Sequence, residues 1–271
     1  MHEHPATRHP PAARDAVSRN TVDLAYEVSG ERGNPVLLLL HGGTASRRSW
    51  DLVTPGLRAS HRIVAVDLRG HGQSPAPDHG YSAMQLGADV AQVIDELDLQ
   101  QVTLVGHSLG GMTAICLAAS RPDAVMRLVL LNAPVTPNAV DALSDVEARV
   151  RRPEFFPVTQ EFVDEWTAHP RPVPPAFSAV QQAHLHALRP VVWRQVFGEL
   201  VRADIASVLR DVRQPTLILW GAKDGLLDAS QRQQLLAGLA DARVVMIDEA
   251  GHNPSSSTPD RVAAEIAAFA R

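Results

Sequence analysis

The sequence has one cysteine and no long apolar run, and these absences exclude several classes of protein. Because Cys116 is the only cysteine among 271 residues, no internal disulfide bond can form, and an oxidising compartment is not indicated. The longest aliphatic run, Val36 to Leu40, is far too short to cross a bilayer. Residues 1–20 lack the apolar stretch of a signal peptide and are typical of a mobile tail. We therefore predict a cytoplasmic protein without a membrane partner.

The sequence also lacks an excess of basic charge. It carries 25 basic and 30 acidic side chains, a formal net charge of −5, and no segment with a basic stripe. Nucleic-acid-binding proteins concentrate Lys and Arg on one face, because contacts with phosphates supply much of their affinity. We therefore expect a small-molecule partner and no nucleic acid. The composition does not indicate an oligomeric state.

What the chain does contain is an alternation of strand and helix patterns. Val22 to Val28 alternates apolar and polar residues, and the turn residues after it predict a hairpin with the next strand, Val36 to Leu40. That next strand is apolar at every position, as expected when both faces of a parallel sheet are covered. Ser82 to Gln85 matches a capping box at the start of a helix. The alternation predicts an α/β fold with a mostly parallel central sheet flanked by helices.

Residues 133–213 interrupt this alternation. They are rich in proline, contain short helical patterns and no convincing strand, and strand signals resume at Thr216. An excursion between two strands of one sheet lies over its edge, so we predict a core of residues 21–132 and 214–271 with an inserted helical cap, or lid. The cap holds more than half of the aromatic residues, and we predict that some of them face an apolar ligand cavity, namely Phe162, Trp166 and Trp193.

A serine flanked by glycines lies between a strand pattern and a helix pattern. Gly106-His107-Ser108-Leu109-Gly110 matches the G-x-S-x-G motif, in which a sharp strand-to-helix turn exposes the serine hydroxyl. Side chains at Gly106 and Gly110 would collide as the strand and the helix close on each other. The motif therefore predicts a nucleophile at Ser108. Since the first amides of a helix have no partner within it, the amide of Leu109 can face an oxyanion beside the serine.

Three further loops follow predicted strands and therefore meet at the same edge of the sheet. The first, His41-Gly42-Gly43-Thr44, is expected to supply the second oxyanion donor, the amide of Gly43. The second contains Asp224, the candidate triad acid, with Asp228 as the alternative. The third contains His252, the candidate general base. The order serine, aspartate, histidine is the order that this kind of triad requires.

At these positions the chain resembles the α/β-hydrolase fold superfamily over nearly its whole length. Four matches carry the resemblance: His41-Gly42-Gly43, Asp67-x-Arg69-Gly70-x-Gly72-x-Ser74, Gly106-His107-Ser108-Leu109-Gly110-Gly111, and Asp224 with Gly251-His252. The resemblance implies a triad of Ser108, His252 and Asp224 with an oxyanion hole of the Gly43 and Leu109 amides. It also implies an acyl-enzyme, and neither a metal nor an organic cofactor. In the second match, Asp67 and His71 are expected to shape their loop rather than form a catalytic pair.

Departures from related patterns narrow the expected chemistry. Relatives that open epoxides or displace halide carry aspartate at the position of Ser108, and carbon–carbon bond hydrolases typically carry asparagine at the position of His107. Cofactor-free haloperoxidases usually have proline where this chain has Thr44. A serine hydrolase that cleaves an ester, thioester or lactone of a small apolar molecule fits best. The alternatives are a non-hydrolytic enzyme, such as a lyase, cyclase or haloperoxidase-like protein, and a small-molecule receptor.

Overall fold

The structure is a computed structural model that describes residues 20–271. Its central element is a seven-stranded sheet. The predicted tail therefore lies outside the described residues except for Asn20. The strands are β1 Tyr26–Ser29, β2 Val36–Leu40, β3 Arg62–Val66, β4 Val102–His107, β5 Val125–Leu131, β6 Thr216–Gly221 and β7 Ala242–Ile247. Their order along the sheet is β1-β3-β2-β4-β5-β6-β7. All neighbouring strands are parallel except the antiparallel pair of β1 and β3.

Helices cover both faces of this sheet, so the predicted fold class is confirmed. Leu38 and Leu40 of β2 pack in one cluster with helices α1 (Ala83–Glu96) and α2 (Leu109–Ser120). Leu37 and Leu39 pack on the opposite face with helix α9 (Pro259–Phe269). One of the two contacts of the predicted capping box is present: the Ser82 hydroxyl accepts a hydrogen bond from the Gln85 amide. The helices are α1 Ala83–Glu96, α2 Leu109–Ser120, α3 Asp141–Val150, α4 Gln160–Trp166, α5 Pro175–Ala187, α6 Pro190–Leu200, α7 Ala229–Gly238, α8 Pro254–Ser257 and α9 Pro259–Phe269.

The predicted hairpin between the first two strands is wrong, because β1 pairs with β3 and not with β2. The side chains explain the difference. Leu37 to Leu40 are fully buried, so β2 belongs in the sheet interior, where β3 and β4 occupy both of its edges. The shorter and half-exposed β1 takes the edge position instead.

Between β5 and β6 the chain forms the four helices α3 to α6 and no strand. This helical segment contributes one wall of a cavity whose other wall is the carboxyl edge of the sheet. Within residues 20–271, no helix is both long enough and apolar enough to cross a membrane.

Candidate active site

Ser108 occupies a sharp turn between β4 and α2. Its backbone has φ of +50° and ψ of −117°, a conformation that is costly for a residue with a Cβ atom. The turn is possible because its neighbours are glycines. A Cβ atom on Gly106 would lie 2.3 Å from the Gly110 carbonyl oxygen, and one on Gly110 would lie 2.4 Å from the Leu40 carbonyl oxygen. The predicted strand–turn–helix context of the serine is therefore present.

Asp224 and His252 come together although 28 residues separate them in the chain. Asp224 follows β6 and His252 follows β7, and these parallel strands end at the same edge of the sheet. The Nδ1 atom of His252 lies 2.9 Å from Oδ2 of Asp224. This pairing assigns the ring proton of a neutral His252 to Nδ1, which leaves Nε2 as a proton acceptor. His252 and Ser108 border the same cavity.

The environment of Asp224 favours its ionised form. Burial by itself would raise the pKa of this carboxyl group, but His252 beside it and hydrogen bonds from the Leu227 amide and from Asn132 lower it below its usual value. The other carboxylate oxygen, Oδ1, accepts hydrogen bonds from the Leu226 and Leu227 amides at 2.8 and 3.0 Å. A buried, ionised carboxylate on Nδ1 orients the imidazole and stabilises its protonated form.

Asp228, the alternative candidate for the triad acid, is the N-cap residue of α7. It is exposed, and its carboxylate caps the start of α7 by accepting a hydrogen bond from the Ser230 amide at 2.8 Å. This local arrangement accounts for an aspartate at position 228 without any contact with His252.

The glycine-rich loop after β2 lies against the nucleophile. A Cβ atom on Gly42 would lie 3.5 Å from the Ser108 Cβ, and one on Gly43 would lie 3.6 Å from the Leu109 side chain. Within residues 20–271, the amides of Gly43 and Leu109 donate hydrogen bonds to no other group. Two unpaired amides beside a partly exposed serine are what an oxyanion requires.

Sequence reasoning missed Asn132, which follows β5. Its Nδ2 atom donates to Oδ2 of Asp224 at 2.6 Å, and its Oδ1 atom accepts from the Gly221 amide at 3.1 Å. Its backbone is left-handed, with φ of +42°. Asparagine tolerates a left-handed backbone better than most residues. An asparagine directly after a predicted strand is therefore a sequence signal that could have pointed to this position. Asn132 fixes the carboxylate that holds His252.

Removing the Asn132 side chain is expected to lower kcat without changing the chemistry. We expect Asn132→Gly and Asn132→Ala to lose about 10- to 100-fold in kcat, because Asp224 loses a donor and His252 becomes less well oriented. Alanine should also be about 1 kcal/mol less stable than glycine, since its Cβ opposes the left-handed backbone. Ester turnover and urea unfolding of both variants measure the two effects. Equal stability of the two variants, or wild-type kcat, would contradict this account.

His107 joins the nucleophile turn to the histidine loop. Its ring is buried, and Nε2 donates to the His252 carbonyl oxygen at 2.8 Å. Burial, and then the charge of His252, lower the pKa of His107 from 6.5 to about 3. The ring is therefore neutral at physiological pH. The sequence motifs did not predict the hydrogen bond between His107 and the His252 carbonyl oxygen.

Acid is expected to destabilise the fold through His107. In the unfolded chain this ring binds a proton below about pH 6.5, whereas in the folded chain it does so only near pH 3. The free energy of unfolding is therefore highest above pH 6.5 and decreases as the pH falls below that value. Lowering the pH from 7 to 5 should cost about 2 kcal/mol of unfolding free energy through this group. His107→Gln keeps an N–H donor but does not titrate. Its urea midpoint should therefore change less between pH 7 and 5, and an unchanged pH dependence would refute this assignment.

The cavity beside Ser108 and His252 has a volume of about 490 Å³. Of the predicted ligand-facing aromatics, Phe162 and Trp166 border it, and Nε1 of Trp166 donates to the Thr44 hydroxyl at 2.8 Å. Trp193 does not border it. Its ring is completely buried, with its centroid 5.9 Å from that of Phe162 and 5.8 Å from that of Phe197, so it supports the wall from behind.

Among the described residues, no three His, Cys, Asp or Glu side chains form a group that could hold a metal ion. The absence of a metal or organic cofactor stays a prediction.

Comparison with known proteins identifies the family. Residues 37–265 match the alpha/beta hydrolase family. The chain belongs to this family. It is 29% identical to 2-(acetamidomethylene)succinate hydrolase of Mesorhizobium japonicum, with 94% of this chain and 93% of that protein covered. It is also 29% identical to the dihydrolipoyllysine-residue acetyltransferase component of the acetoin cleaving system of Pseudomonas putida, with 91% of this chain and 66% of that protein covered. The match to human epoxide hydrolase 4, at 36% identity, covers 48% of this chain and 39% of that protein.

Solved structures agree with this family fold. A bromoperoxidase from Bacillus anthracis superposes with a TM-score of 0.82 at 23% identity, covering 93% of this chain and 97% of that one. A thermophilic esterase from Thermogutta terrifontis superposes with a TM-score of 0.76 at 26% identity, covering 92% and 93%. At 23% identity, the likeness to the bromoperoxidase indicates the fold alone. The sequence identity to the esterase is slightly higher, at 26%.

Proposed function

We propose that this alpha/beta hydrolase is a serine hydrolase that cleaves an ester, thioester or lactone bond in a small apolar molecule. The observation that carries the proposal is the partly buried hydrogen bond between Asp224 and His252, beside a cavity that the strained Ser108 also borders. A carboxylate, an imidazole and a hydroxyl in this order are the parts of an acyl-transfer triad. The backbone amides of Gly43 and Leu109 are the proposed hydrogen-bond donors to the oxyanion.

The mechanism follows from the proton positions. Nε2 of His252 takes the Ser108 proton as the hydroxyl oxygen attacks the carbonyl carbon, and the negative charge develops on an oxygen that faces the Gly43 and Leu109 amides. His252 then returns the proton to the leaving alcohol or thiol, and an acyl-enzyme forms. Water attacks this acyl group with His252 again as base, which releases the acid and free Ser108. Asp224 stays ionised throughout and stabilises the imidazolium.

The cavity walls support a mainly apolar substrate of modest size. Leu143, Val146 and Leu185 of the cap join Phe162 and Phe197 around a volume of about 490 Å³, which is within the usual range for small-molecule sites. The names of two similar proteins, 2-(acetamidomethylene)succinate hydrolase and the thermophilic esterase, agree with a hydrolytic reaction. Charged side chains of both signs also border the cavity, so part of the substrate can be polar: Arg149, Lys223, Asp145 and Glu165.

The test is to trap the acyl-enzyme. The full chain is mixed with p-nitrophenyl esters of two to eight carbons, and the intact mass is measured during turnover beside fluorophosphonate labelling. We expect release of acid, a mass increase equal to the acyl group, and both labels on the peptide that contains Ser108. Labelling without turnover of any ester or lactone would favour the non-hydrolytic alternatives. Absence of labelling in folded protein would overturn the proposal and favour a receptor.

A further inference from the structure

The proposed oxyanion hole depends on a flexible piece of backbone. The amide of Gly43 follows Gly42, and two successive glycines have more conformational freedom than any other pair of residues. An oxyanion hole acts because its donors are aimed before the charge develops, so a loop that turns freely would waste this stabilisation. Within the loop, the Ala45 amide donates a hydrogen bond to the Gly42 carbonyl oxygen at 3.1 Å, and contacts from outside the loop add to this restraint.

His41 holds the first of the two peptide groups. Its Nε2 atom accepts a hydrogen bond from the Leu68 amide at 2.9 Å, so the neutral ring carries its proton on Nδ1. Nδ1 in turn lies 2.7 Å from the Gly42 carbonyl oxygen. Since a peptide group is planar, holding the Gly42 carbonyl also fixes the direction of the Gly43 N–H.

His71 holds the second peptide group. Its ring is buried, and Nε2 lies 2.8 Å from the Gly43 carbonyl oxygen. The ring packs edge-on against that of His41 at 5.0 Å between centroids, and His184 of the cap lies on it at 6.2 Å. Gly43 therefore lies between two peptide groups, and the carbonyl oxygen of each lies within hydrogen-bond distance of a histidine ring nitrogen.

The loop that carries His71 is itself anchored to the glycine-rich loop. The buried Asp67 accepts hydrogen bonds from the Gln73 amide at 3.0 Å and from the Arg47 amide at 2.8 Å. The first contact closes the His71 loop, and the second ties it to the segment that follows Gly43. Both ends of the contact between His71 and Gly43 are thus fixed relative to each other.

We propose that His71 is a positioning residue for the oxyanion hole, and that it acts by donating a hydrogen bond from Nε2 to the Gly43 carbonyl. The inference rests on the proposed acyl-transfer function. The other ring nitrogen, Nδ1, lies 2.8 Å from the Arg69 carbonyl oxygen. A neutral imidazole has one N–H and can donate to only one of these two oxygens. The proposal assigns that proton to Nε2.

Three substitutions separate this role from simple packing. Glutamine places an amide donor near the position of Nε2, asparagine places one near Nδ1, and leucine fills the space without a donor. For p-nitrophenyl acetate we expect His71→Leu and His71→Asn to lower kcat by about 10- to 100-fold with KM within about twofold. His71→Gln should recover kcat to within about threefold of wild type. The rate of fluorophosphonate labelling should fall and recover in parallel, because the phosphoryl oxygen uses the same amides.

The outcomes distinguish this inference from the proposed function. If Ser108→Ala keeps wild-type turnover, the acyl-transfer function itself fails. If Ser108→Ala is inactive, then an unchanged kcat in His71→Leu, a change in KM alone, or rescue by asparagine rather than glutamine overturns only the role of His71. Should His71→Leu fail to fold, the comparison of glutamine with asparagine decides: equal kcat values would overturn the proposal, and at least a fivefold advantage for glutamine would support it.

Discussion

Replacing Ser108 by alanine is expected to lower kcat for p-nitrophenyl esters by at least about 10⁴-fold. The reason is that the Ser108 hydroxyl oxygen is the proposed attacking atom. Ser108 is the single residue between β4 and α2. The oxyanion amides and the cavity would remain, so slow hydrolysis by water should persist. Steady-state turnover and fluorophosphonate labelling measure the loss, and labelling should disappear completely.

A second substitution at the same position tests the backbone strain. Ser108 has φ of +50°, and glycine adopts such a conformation without a steric cost. Ser108→Gly should therefore be inactive yet about 1–3 kcal/mol more stable to urea than Ser108→Ala. Ser144→Ala, on the exposed face of α3, is the control for removal of a hydroxyl elsewhere and should keep wild-type activity. Full ester turnover by folded Ser108→Ala would remove the basis of the proposed mechanism.

Replacing Asp224 by asparagine is expected to lower kcat by about 10³- to 10⁴-fold with little change in shape. The carboxylate accepts a hydrogen bond from Nδ1 of His252 at 2.9 Å. The amide of asparagine can instead donate to Nδ1, which moves the ring proton to Nε2 and leaves no base facing Ser108. The variant also lacks the negative charge that stabilises the imidazolium.

The matched control for this experiment is Asp228→Asn, four residues further on. Asp228 is exposed and caps α7, so its replacement should leave kcat within about twofold and cost at most about 1 kcal/mol of stability. Ester turnover and urea unfolding of both variants are compared at pH 8. A large loss of kcat in Asp228→Asn with wild-type kcat in Asp224→Asn would exchange the two roles and leave the described contact with His252 without a catalytic purpose.

Prediction from the sequence worked where a local pattern has one structural solution. A strand that is apolar at every residue, such as Val36 to Leu40, can only lie inside a covered sheet, and it does. It failed where neighbours in space decide the outcome. The turn after β1 favoured a hairpin, but competition for the edges of β2 sent β1 to β3. Trp193 lies in the aromatic-rich helical segment between β5 and β6, yet only packing determines which aromatic rings of that segment border the cavity.

The contacts that support the proposed triad illustrate the same division. Asn132 lies 92 residues before Asp224 and His107 lies 145 residues before His252, so no local spacing relates the members of either pair. His71 was expected to shape its own loop, and its contact with the Gly43 carbonyl becomes visible only when β2 and β3 lie side by side. These residues act on others through single hydrogen bonds, which leave no periodic pattern in a sequence.

By itself, the sequence determined the α/β fold class, the serine motif and the loops that carry Gly43, Asp224 and His252, because each follows from short-range rules of strands, helices and turns. Only the tertiary structure decided which groups hold those loops, where β1 pairs, and which residues of the helical segment between β5 and β6 border the cavity. The physical reason is that parallel strands bring their carboxyl ends together regardless of the length of chain between them. The main residues of the candidate site are therefore recognisable from local patterns, and the sheet brings them together.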